Sequence, residues 1–161
     1  MLGTKPRLRL PAAFALILFG CGGAFSPAQR VQEAVQDLSV AIRFGRMDKA
    51  AQRVSPSERG PFAKRHAHWG NGIRILDCEV LGISMRDKER ADVSLGVGWQ
   101  RVDESDVRAT QILQKWKSEE GTWLLHGEER AGGDVGLLGE QVTVIRPPSG
   151  QDVQFRTITI R

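Results

Sequence analysis

The groups with which this chain could do chemistry are three histidines, two cysteines and nineteen carboxylates, and it has no tyrosine. Acid-base work needs a carboxylate or imidazole held where low dielectric moves its pKa toward neutrality. The positions to weigh are His66, His68, Asp77, Asp92 and His126. Asp77 shares strand phase with Ile73, Ile75, Leu81 and Ile83, which would turn it toward a pocket. Glu79 shares that phase too, and two carboxylates in phase more often mark a solvent face, or a bulge that reverses phase, than a catalytic pair. His66 lies on the apolar side of a helical stretch, where a packing histidine is the ordinary outcome. Asp92 stands opposite a hydrophobic stripe and His126 near a strand end, so both read as exposed. His66-Ala67-His68 places two imidazoles near a helix end with no cysteine or clear third ligand nearby, so no metal site is expected. Gly96-x-Gly98 falls inside a strand instead of after one, which is not a phosphate loop, and no cofactor is expected. Trp69, Trp99, Trp116 and Trp123 are candidates to line a pocket for a small apolar ligand, with core and rim packing as the competing reading.

Those residues sit on a chain that changes period midway. Ser26-Pro27-Ala28-Gln29 is a helix start with a serine cap, proline at the first position and glutamine three residues on. Val31, Ala34, Val35, Leu38, Ala41 and Ile42 then make one apolar stripe, and Gly45 ends the helix. A short second helix is expected from Asp48 to about Val54, and a third from the capping-box pattern Ser55-Pro56-Ser57-Glu58, with Phe62, Ala63 and His66 on its apolar side. From Ile73 the pattern alternates. Strands are expected over Ile73 to Ser84, Arg90 to Val102, Val107 to Ser118 and Thr122 to Gly127, with short polar turns that imply an antiparallel meander. Three helices followed by four such strands define an α+β plan.

The helix junction Gly45-Arg46-Met47-Asp48-Lys49-Ala50-Ala51 and the hairpin from Leu113-Gln114-Lys115-Trp116 through Gly121-Thr122-Trp123-Leu124-Leu125 carry a resemblance to the nuclear transport factor 2-like superfamily. It covers about Ser26 to His126. The resemblance implies N-terminal helices packed on a strongly curved sheet, a cone, and it brings in homodimers formed through the sheet. The superfamily includes SnoaL-like dehydratases and isomerases that place an aspartate, often with histidine or tyrosine, inside the cone. Asp77 and His66 are the weak candidates for that role here, they do not pair convincingly, and a non-catalytic protein is expected.

At the N-terminus Lys5, Arg7 and Arg9 precede an apolar run from Leu10 to Phe19. That run is about half the roughly 20 apolar residues needed to span a bilayer. Leu18-Phe19-Gly20-Cys21 resembles the lipobox of bacterial lipoproteins, which implies acylation of the Cys21 thiol and cleavage just before it. Several acyl chains hold a protein on a membrane where one holds it only marginally. Gly22-Gly23-Ala24 leaves ordinary secretory cleavage as the alternative. Gly22 in place of Asp after the cysteine implies sorting to the outer membrane, facing the periplasm.

Removal of the leader leaves 20 basic against 19 acidic residues, so the basic pI of the whole chain gives no reason to expect nucleic-acid binding. Cys78, in an alternating run between Leu76 and Val80, reads as a small buried hydrophobe. The resulting plan is a signal peptide at 1–20, a lipidated linker at 21–25, one domain at 26–130, and a tail at 131–161. In that tail Gly132-Gly133 and Gly136 are a flexible joint, and Gln141 to Ile145 with Val153 to Ile160 form a hairpin about Pro147-Pro148. The tail is expected to rest on its own domain, or else to pair with a protein partner. Function is read as a binding or assembly module in the cell envelope, against a small-molecule binder or an enzyme.

Overall fold

The computed structural model describes residues 25–141. Cys21, the leader and the expected hairpin after Gln141 lie outside the described residues. The order is α1 (Pro27–Arg43), α2 (Met47–Ala50), a tight helical turn (Ala51–Arg53), α3 (Arg59–Arg65), then β1 (Ile73–Met85), β2 (Arg90–Arg101), β3 (Val107–Glu119) and β4 (Thr122–Gly133). The strands pair in sequence order and antiparallel throughout. The protein is therefore α+β, with helices laid on one face of a curved antiparallel sheet.

The first helix starts as its sequence dictates. Ser26 Oγ accepts from Gln29 N at 3.3 Å while Ser26 N donates to Gln29 Oε1 at 2.8 Å, a reciprocal capping box. Its stripe, Val31 through Ile42, is buried. Gly45, at φ +65°, turns the chain out of the helix. The next two helices differ from expectation. α2 begins one residue earlier with no side-chain cap and stops at Ala50. α3 begins at Arg59 with no side-chain cap; Ser55 Oγ meets Ser57 Oγ at 3.3 Å instead of a backbone N–H, and the Ser55 N–H donates to Leu125 O at 2.9 Å. That bond, beside the Val54–Leu125 bridge, ties the helical segment to β4.

Strand β2 is regular and buries Ala91, Val93, Leu95, Val97 and Trp99 on one face. The phase of β1 is not constant. Bulges between Ile75 and Asp77 and between Val80 and Gly82 reverse it twice, so Cys78 and Val80 turn toward the core and Asp77, Glu79 and Leu81 turn outward. β4 runs past the expected Gly127 to Gly133. A Cβ at Gly133 would meet Ala109 O at 2.3 Å, so this glycine permits close approach of two strands, and it is not a flexible joint. The segment after it belongs to the domain. Asp134 accepts from Ala109 N and its carbonyl accepts from Thr110 Oγ1, while Leu137 and Leu138 are buried in the core.

Candidate functional site

The most polar part of the interior forms where α3 crosses β3 and β4. On β3, Thr110, Ile112, Gln114 and Trp116 alternate inward. On β4, the irregularity opposite Lys115 and Trp116 moves the inward phase from Leu125 to Glu128. α3 ends over this surface with Phe62, Arg65 and its cap residue His66. The side chains of His66 and Glu128 are 0% and 1% exposed.

His66 Nδ1 donates to Phe62 O at 2.7 Å, which fixes the tautomer and leaves Nε2 without a proton. Nε2 lies 3.3 Å from Glu128 Oε1 but makes no hydrogen bond. Burial pushes the imidazole below its ordinary pKa. The Glu128 charge and the Phe62 carbonyl pull it back up, and Arg65 lowers it further. Glu128 is held by Arg65 Nε at 3.2 Å and by Gln114 Nε2 at 3.4 Å, and Gln114 Oε1 accepts from Trp116 Nε1 at 3.0 Å. Arg65 continues the chain outward to Glu58 at 2.5 Å. Chemically this is an imidazole and a carboxylate that could share a proton, in a place sealed from solvent.

The four tryptophans lie in the core. Trp99 and Trp116 are 1% and 2% exposed, and Trp69 and Trp123 are also buried. Three indole N–H groups are satisfied internally: Trp69 by Leu137 O, Trp99 by Thr110 Oγ1 and Trp116 by Gln114. These rings fill the space between helices and sheet, which corrects the expectation that they line a cavity.

Asp77 is likewise displaced from its expected place. Its side chain is 67% exposed on the outer sheet face, 3.8 Å from Arg43, and the first β1 bulge is the reason. It borders a groove of about 500 Å³ with Glu79, Leu81, Gly96, Gly98 and Gln111. Asp92 pairs with Arg86 at the other end of that face, and Arg86 holds its carboxyl below the usual carboxylate range. His68 lines a polar cleft with Arg101, Glu104 and Arg108, apart from the buried pair. His126 is part-exposed and 3.0 Å from Glu119. Among the described residues no group of three or more His, Cys, Asp or Glu side chains has metal-binding geometry. The Cys78 thiol donates to Ser39 Oγ at 3.5 Å and burial raises its pKa.

Sequence reasoning thus found His66 but missed its partners. Gln114 was detectable, as a polar residue in phase with Ile112 and Trp116. Glu128 was not, because it lies beyond the expected end of β4 and a bulge sets its direction.

No family model matches this chain, and no curated protein matches its sequence. Among solved structures it is similar to a SEC-C motif-containing protein from Rhodopseudomonas palustris, with TM-score 0.55 and 18% identity, over 65% of this chain and 80% of that one. It is also similar to an NTF-2-like protein of unknown function from Shewanella oneidensis MR-1, with TM-score 0.47 and 11% identity, over 65% of this chain and 98% of that one. The first likeness is one of fold alone.

Proposed function

We propose that this chain is a lipid-anchored envelope protein whose single domain, of nuclear transport factor 2-like type, acts as a non-catalytic binding or assembly module. The observation that carries the reading is the packed interior. Phe62, Trp99 and Trp116 are buried in the core between helices and sheet, and the indole N–H groups of Trp99 and Trp116 are bonded within the domain. Recognition is therefore assigned to surfaces. The Leu18-Phe19-Gly20-Cys21 motif supports the anchor, and the helix junction at Gly45–Ala51 with the Trp116–Trp123 hairpin supports the domain type.

One observation favours an enzyme as the second reading, the imidazole and carboxylate 3.3 Å apart at His66 and Glu128. Both side chains are closed to solvent, so turnover there would require α3 to lift. Native mass spectrometry of the protein extracted in mild detergent from its own envelope tests the main reading. An acyl adduct on Cys21 together with a discrete protein complex is expected. An unacylated chain cut near Ala24 overturns the anchor, and a bound small molecule in place of a protein overturns the assembly role.

A further inference from the structure

The helical and sheet parts of the domain carry opposite charge. Residues 25–65 hold eight Lys and Arg against four Asp and Glu, a net +4, whereas residues 66–141 hold nine against fourteen, a net −5. On the helical side three of the eight cations lie at one corner. Arg46, Lys49 and Arg53 line a groove of about 620 Å³ with Val40 and Asp37, and only Arg53 is neutralised there, by Asp37 at 2.5 Å. Two large apolar side chains project at the same corner, Val40 from the otherwise polar outer face of α1 and Phe44 from the cap position that follows it. Val40 is 46% exposed and Phe44 69%, and the Arg46 guanidinium stands 5.8 Å from the Phe44 ring centre.

An exposed aromatic ring beside unpaired cations is the chemistry of an interfacial contact: the ring enters the headgroup boundary and the cations meet lipid phosphates. We infer that the α1–α2 corner docks on an anionic bilayer, so that the domain lies with its helices against the membrane and its sheet away from it. The scale of the asymmetry favours a bilayer over an acidic peptide. A peptide in the groove needs only the local cations, whereas a planar anionic surface acts on the whole domain, attracting the +4 side and repelling the −5 side. The tether fits this pose. Cys21 precedes the α1 cap Ser26 by five positions, and a helix lying flat brings both its start and the Phe44 corner to one plane. The choice of a membrane rests on the lipid-anchor reading.

Vesicle co-sedimentation separates the two. The chain from Gly22 onward keeps every described residue and carries no acyl group. It is expected to bind vesicles of three parts phosphatidylcholine to one part phosphatidylglycerol, with little binding to phosphatidylcholine alone and loss in high salt. Arg46→Glu with Lys49→Glu should weaken binding roughly tenfold or more. Phe44→Ser should weaken it several-fold, and Lys115→Glu with Lys117→Glu on the outer sheet face should leave it unchanged. Circular dichroism confirms that each variant is folded. Equal binding to neutral vesicles, equal loss in the sheet variant, or binding to soluble polyglutamate but not to vesicles overturns the proposal. Because acylation is absent throughout, failure of the Cys21 reading leaves this result unaffected.

Discussion

The two faces of the sheet are built from the same four strands but serve different ends. The inner face is heavy and closed, with Trp99, Trp116, Trp123, Val93 and Leu95 buried in the core, and with the Trp99 and Trp116 indoles bonded to Thr110 and Gln114. The outer face is light and open: Gly96 and Gly98 on β2 and Ala109 on β3 leave a groove flanked by Asp77, Glu79 and Leu81. The inner face determines whether the chain folds. The outer face can change without unfolding it, and that freedom is what a recognition surface requires.

The comparison predicts its largest effect at Trp116. Truncation to alanine removes a ring that is 2% exposed and leaves Gln114 Oε1 without its donor. A loss of about 3–5 kcal/mol is expected, read as a lower urea midpoint with an unchanged slope. A loss below about 1 kcal/mol, the level of a surface change, would break the comparison by showing that the inner face is not the closed one.

Gly133 sharpens the contrast, because it borders the outer groove yet should behave like an inner residue. Its φ is +78° and an added Cβ would meet backbone at Ala109, which cannot move aside as a side-chain tip can. Gly133→Ala should cost about 2–3 kcal/mol, detectable in the same titration, with early exchange of the Asp134 amide as the local sign.

How much of this was legible in the sequence depended on whether one phase held along an element. β2 was legible throughout, since Ala91 to Trp99 alternate without interruption. So was α1, whose cap, stripe and terminating glycine are all local signals. β1 misled because two bulges invert its phase. The in-phase pair Asp77 and Glu79 signalled either a solvent face or a bulge, and both occur. The end of β4 and the burial of Leu137 and Leu138 were hidden because long-range pairing with β3 decides them, and the glycines there looked like a linker. His66 was legible as a packing residue, while its environment was set by Glu128 from a distant strand.

A smaller effect concerns the imidazole on the inner face. His66 is folded in its neutral form with its pKa below the ordinary value. Between about pH 6.5 and that lowered value, the unfolded chain takes up a proton that the folded chain refuses. Stability should therefore fall as the pH drops through this window and level off below it. His66→Gln should flatten that part of the profile. A rise in stability on acidification would mean that the folded state charges His66 against Glu128, and that the inner face is less closed than its burial implies.

The smallest expected effect on folding is at Gly98, where the test passes from stability to function. An added Cβ would sit 3.8 Å from Asp77, ordinary contact, and the backbone is not in a conformation reserved for glycine. Gly98→Ala should therefore be neutral, or stabilising by up to about 1 kcal/mol through the unfolded chain. If the open groove is where an assembly partner rests, the same methyl group narrows it and should lower the fraction of the native complex without lowering the unfolding midpoint. The inferred bilayer pose, with the helices against the membrane, would turn this outer face toward other proteins. A complex that survives Gly98→Ala but is lost in Arg46→Glu with Lys49→Glu would move the partner to the helical side and reverse the assignment of the two faces.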